Sequence, residues 1–134
     1  MVKNNNMFKY SKAFSGFSVN DLQKAKEFYS QILGLDVADN PMGLIELQIE
    51  GCNNIIIYPK PDHVPATFTI LNFPVDNIDE AVDKLTSNGV QFEQYGGNIQ
   101  TDEKGICRSD RGPNIAWFKD PAGNILSIIE EKKF

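Results

Sequence analysis

Apolar residues recur along this chain with two different periods, and the alternation between them sets out the fold. From about Asp21 to Leu33, Leu22, Ala25, Tyr29, Ile32 and Leu33 share one face at helical spacing. Asn20 is placed to cap that helix, with Gln23 three residues on, and Gly34 stops it. A second helix is predicted from about Ile78 to Ser87, with Ile78, Ala81, Val82 and Leu85 on its apolar face. Asp76 or Asn77 caps it and Gly89 closes it.

Each helix follows a strand-like run, Phe14 to Val19 before the first and Phe68 to Val75 before the second. At an offset of 56 residues the two halves match: Phe17 falls on Phe73, Val19 on Val75, Leu22 on Ile78, Ala25 on Ala81 and Tyr29 on Leu85. Strand-like runs also follow each helix. They are Gly43 to Ile49 and Asn54 to Tyr58 in the first half, and Val90 to Tyr95, Ile115 to Lys119 and Ile125 to Ile129 in the second. Turn residues separate them at Asn40-Pro41, Gly51 with Asn53-Asn54, and Asp120-Pro121-Ala122-Gly123. The chain therefore reads as an α+β protein of two tandem β-α-β-β-β modules, residues 13–60 and 66–134. Lys60 to Pro65 is the linker, stiffened by Pro61 and Pro65, and residues 1–12 form a frayed tail.

Composition narrows the class. With 41% apolar residues and nine Phe in 134 residues, the chain can bury a core. No apolar run approaches the roughly 20 residues of a membrane span. The net charge of −5 argues against nucleic acid or an anionic membrane as partner. The first dozen residues carry Lys3, Lys9 and Lys12 but no apolar leader segment, so a cytoplasmic protein is expected. Cys52 and Cys107 are too far apart for a CxxC site and are expected to be free thiols. No nucleophile-elbow, phosphate-loop or dinucleotide motif is present.

This pattern resembles the vicinal oxygen chelate superfamily, which includes glyoxalase I, bleomycin-resistance proteins, fosfomycin-resistance enzymes and extradiol dioxygenases. The resemblance runs from about Ala13 to Glu131. It is carried by Phe14-Ser-Gly-Phe-Ser-Val-Asn-Asp-Leu22 through Phe28-Tyr29, by Ile32-Leu33-Gly34-Leu35, and by Trp117-Phe-Lys-Asp-Pro-Ala-Gly-Asn124. It implies a cupped mixed β-sheet with the helices outside, a cavity in the cup and a homodimer. In metal-dependent members each of four strands gives one ligand, two His (or a Gln in place of one) and two Glu. Those positions fall here on Phe14, Ile70, Ser127 and a residue near Ile57 or Tyr58. Such side chains do not suit a divalent cation. The one His, His63, lies in the linker. Glu46 and Glu50 share a strand face and read as solvated charges, although either could pair with Tyr58 for acid–base work. No catalytic metal and no cofactor are expected.

The resemblance then implies a cup lined by Phe14, Ile70 and Ile57 or Tyr58, with Ser18, Asn72 and Ser127 adding polar contacts. An apolar cavity with a few placed polar groups is how small-molecule sites look. The two arginines, Arg108 and Arg111, sit close together in a long connection. Either binds an anionic group of the ligand, or both pair internally with Asp110, Asp102 or Glu103. Trp117 either stacks on a planar ligand or joins the core. The functions that follow are a metal-free small-molecule-binding protein of the bleomycin-resistance type, a glyoxalase-type lyase or isomerase, or a partner-binding module with a filled cup.

Overall fold

The computed structural model describes residues 7–110 and 112–131. Arg111 and parts of the predicted tail and of the second module's end lie outside the described residues.

Two four-stranded sheets are built in the same way. In the first module β1 (Gly16–Val19) is followed by α1 (Leu22–Glu27) and a π-helical turn (Phe28–Ile32). Then come β2 (Asp36–Asn40), β3 (Leu44–Gln48) and β4 (Ile55–Pro59). In the second, β5 (Thr69–Val75) is followed by α2 (Ile78–Ser87), β6 (Ile106–Cys107), β7 (Asn114–Lys119) and β8 (Ile125–Glu130). The strand orders are β1-β4-β3-β2 and β5-β8-β7-β6. In each sheet the first strand runs parallel to the last, and the remaining pairs are antiparallel. The crossover each parallel pair requires is supplied by the helix. The sequence repeat survives in three dimensions, since Val19 and Val75 end the opening strands and Leu22 and Ile78 begin the helices.

α2 spans the predicted residues, with the Asn77 side chain accepting from the Glu80 amide at 3.1 Å. The first helix differs from expectation at both ends. Asp21 rather than Asn20 is the cap, accepting from the Lys24 amide at 3.0 Å, and after Glu27 the coil widens to π-helical. That turn buries both Phe28 and Tyr29, two adjacent residues that a regular α-helix would spread by about 100°. Val90 to Tyr95 is not a strand. Phe92 makes a single bridge to Phe118, and the short β6 takes the edge position. The hydrophobic pattern missed both β2, where Val37 and Ala38 are the sole apolar residues, and the two-residue β6.

Strand alternation divides each sheet into a helix-bearing face and an outer face. Val19, Ile45, Leu47, Ile55 and Ile57 are buried on the helix side of the first sheet, and Ala116, Phe118, Leu126 and Ile128 on that of the second. These two faces join one core. Phe28 packs on Phe118 with ring centroids 6.4 Å apart, and the Asn88 side chain donates to the Ile32 carbonyl at 3.2 Å. The modules thus meet through their helix-bearing sides. Their junction is closed by the Asp120–Asn124 turn. The Tyr29 hydroxyl donates to Asp120 Oδ2 at 2.8 Å, and Asn124 Nδ2 donates to the Ser18 carbonyl at 3.0 Å.

Candidate functional site

The outer face of the first sheet is set by register. Gly16 pairs with Ile56 and Ser18 with Tyr58, while Glu46 pairs with both Ile56 and Ala38. These residues alternate with the buried ones, so Ile56, Glu46, Ser18 and Tyr58 face away from the helices. Of the two positions left open on β4, Ile57 is fully buried in the core and Tyr58 is 41% exposed. Phe14 lies just before β1 and is 67% exposed. Phe14, Ile56, Glu46, Cys52, Asn53, Asn54 and Lys12 line an open cavity of about 530 Å³, made by the first module and the residue before it.

Glu46 is not a freely solvated charge. Asn40 Nδ2 donates to one carboxylate oxygen at 2.8 Å and Asn54 Nδ2 to the other at 3.0 Å. These amide bonds, Asn40's first, hold its carboxyl below the usual value. The predicted reading missed this because Asn40 and Asn54 reach Glu46 through the β2–β3–β4 register.

Ser18 is bonded to the single His. The His63 Nε2 lies 3.1 Å from the Ala122 carbonyl, which can only accept, so in the neutral ring Nε2 carries the proton. Nδ1 is then the acceptor for the Ser18 hydroxyl, 2.6 Å away. The linker is thereby pinned between β1 and the Asp120–Asn124 turn.

On the second sheet Asn72, Ser127 and Trp117 stand in one cross-strand row on the outer face. Ser127 donates to Asn72 Oδ1, Trp117 Nε1 donates to Thr69 Oγ1 at 3.1 Å, and the Tyr95 ring meets the Trp117 ring edge-on at 5.5 Å. The indole therefore takes the outer side. Ile70 does not. It is the extra residue of a bulge between Thr69 and Leu71, and the bulge turns both Ile70 and Leu71 towards the core.

Arg108 takes the internal pairing. Its guanidinium meets Asp79 at 2.7 Å and Asp102 at 3.1 Å. Lys104 bonds to Asp79 at 3.1 Å and Asp83 at 3.0 Å. The long connection is so latched onto α2, and Arg108 is turned from the outer face. Arg111 lies outside the described residues.

The profile of the Glyoxalase/Bleomycin resistance protein/Dioxygenase superfamily matches residues 14–128. The chain belongs to this superfamily. A relative in Bacillus subtilis (strain 168), the uncharacterized protein YetH, is 33% identical over 123 residues, spanning 84% of this chain and 91% of YetH. TnmS3, an antibiotic binding protein from Streptomyces sp. CB03234, superposes with a TM-score of 0.67 at 23% identity, over 92% of this chain and 98% of TnmS3. The fosfomycin resistance protein FosX from Listeria monocytogenes gives a TM-score of 0.68 at 15% identity, over 91% and 93% of the two chains. At these identities the two structures share the fold with this superfamily member and nothing finer.

The metal that some superfamily members use does not fit these residues. Phe14 and Ile70 offer no donor, Ile57 is buried in the core, and the Ser127 hydroxyl is committed to Asn72. Among the described residues no three His, Cys, Asp or Glu side chains come together as a metal-holding group. No helix among them is long and apolar enough to cross a membrane.

Proposed function

We propose that this superfamily member binds a small organic molecule on the outer faces of its sheets without a catalytic metal, as a homodimer in the cytoplasm. One observation carries the reading. Phe14 stands where the first metal ligand of the metal-dependent members is expected, and it walls a cavity of about 530 Å³ that also offers Ile56, Glu46 and Asn54. An apolar wall with a few fixed polar groups suits a small molecule. Ser18 and Tyr58 extend that face, and Asn72 and Trp117 supply a second polar and aromatic surface, beneath which Ser127 is fully buried. Antibiotic binding, carried by TnmS3 on the same fold, supports a binding role. The exposed Phe14, Tyr58 and Phe68 are large apolar side chains that a second copy would cover. The unpaired Cys52 and Cys107 suit a reducing compartment.

Elemental analysis of the untagged protein, before and after incubation with zinc, nickel, manganese and iron(II), tests the metal-free reading. Far less than one equivalent per chain is expected in every case. Close to one equivalent, lost on chelation, would overturn it and bring the lyase reading forward. A thermal-shift screen of antibiotics and metabolites tests binding, with stabilisation by at least one compound as the expected result.

A further inference from the structure

We propose that the first-module cavity is a subsite for a zwitterionic small molecule, one that carries an ammonium and a carboxylate on an apolar body. This rests on the binding reading above and names the ligand chemistry of the same face. The cavity holds one carboxylate, Glu46, and one ammonium, Lys12, beside the apolar Phe14 and Ile56. The two charges are not neutralised by each other. Lys12 has no ion-pair partner among the described residues. Glu46 has amide partners but no cationic one among the described residues.

The two charges are held differently. Each Glu46 oxygen accepts one amide hydrogen bond, which fixes the carboxylate at the cavity and leaves each oxygen capacity to accept another. The strands that hold Asn40, Glu46 and Asn54 are paired in register, so the acceptor is in place before a ligand arrives. Its carboxyl is held below the usual value and stays ionised in mild acid. Lys12 instead sits on the exposed segment before β1, on a long side chain that can follow a carboxylate. A simple amine in this cavity gains Glu46 but meets the charge of Lys12. A simple carboxylate gains Lys12 but meets Glu46. A molecule with both groups gains both contacts, and its apolar body has Phe14 and Ile56 to cover.

Three probes of similar shape separate the cases: phenylalanine, phenethylamine and 3-phenylpropionate. Each is titrated into the full-length ¹⁵N-labelled protein while the side-chain amide signals of Asn40 and Asn54 are followed. Phenylalanine is expected to shift these signals at the lowest concentration. Glu46→Gln is expected to remove the advantage over 3-phenylpropionate, and Lys12→Ala the advantage over phenethylamine. The backbone spectra of both variants report that they fold. Equal binding of all three probes, or unchanged phenylalanine binding in Glu46→Gln, would overturn the zwitterion assignment while leaving the binding reading intact. No shift with any probe would overturn the assignment too, and the thermal-shift screen then decides the binding reading separately.

Discussion

Tyr29 and Asp120 lie 91 residues apart, one in each module, and the phenol donates to the carboxylate at 2.8 Å in the buried junction. The same carboxylate accepts from the Ala122 amide, the Asn124 amide and Asn124 Nδ2. Burial, reinforced by the Asp120 charge and its hydrogen bond, pushes the Tyr29 phenol far above its usual value, so it remains the donor. Removing that donor leaves a buried carboxylate short of one partner. Tyr29→Phe is expected to destabilise the protein by about 1–3 kcal/mol, read as a lower midpoint in urea unfolding. Asp120→Ala strands four donors and should cost more. A double variant no worse than Asp120→Ala alone would identify the pair as one coupled unit.

Gly105 is a second sensitive point. Its φ is +90°, and a Cβ there would stand 2.7 Å from Phe92 Cβ. Phe92 in turn packs on Phe118 in the core, 5.6 Å between ring centroids. Gly105→Ala is therefore both strained and overpacked, and should lower stability by about 1–3 kcal/mol in the same unfolding measurement. Gly97→Ala has a comparable φ of +84° but open space around its Cβ, so it should be the milder change.

The latch on α2 should weaken in acid. Hydrogen bonds from Arg108 and then Lys104 hold the Asp79 carboxyl below its usual value. At Asp102 burial raises the value, but the Ile106 amide, Arg108 and the Lys104 amide outweigh it, and the net direction is down. Carboxyls that are more acidic in the folded state stabilise it above the ordinary Asp value of about 3.9, and that contribution is lost as the pH falls through their lowered folded values. Amide exchange at Ile106, pairing with Asp102, should accelerate in that range relative to the amides of β8. Equal acceleration in both places would mean that the latch does not open separately.

The two thiols should react at different rates. Cys52 is exposed at the first-module cavity, and Cys107 is half-buried on the β6 edge. A thiol reagent is expected to label Cys52 first, and a ligand in the cavity should slow that reaction but not the reaction of Cys107.

Where local chemistry dictated structure, the sequence was a reliable guide. The apolar face of α2, with Asn77 before it and Gly89 after it, placed both helix ends. The paired β-α openings were legible as a repeat. Val90 to Tyr95 misled because it alternates like a strand, whereas Phe92 enters the core with a single bridge and the edge passes to β6. Ile70 misled because one bulge residue reverses the inside–outside count, and no local residue announces it. Glu46 looked like surface charge because its two amide partners arrive from neighbouring strands. Asp102 was a foreseeable partner for Arg108, but Asp79 comes from α2, 29 residues away.

The division of each strand between core and outer face has a consequence for how this protein can change over time. Ile57 and Tyr58 are neighbours in sequence, yet the first is fully buried and the second 41% exposed. Phe73 packs against the core, and the adjacent Asn72 is exposed. Variation at Phe14, Tyr58 or Asn72 can therefore alter what the outer faces offer while the interlocked core keeps its fit. Because the face is duplicated, one copy can drift towards new chemistry while the other stays as it was. The architecture separates the inheritance of a shape from the inheritance of a preference.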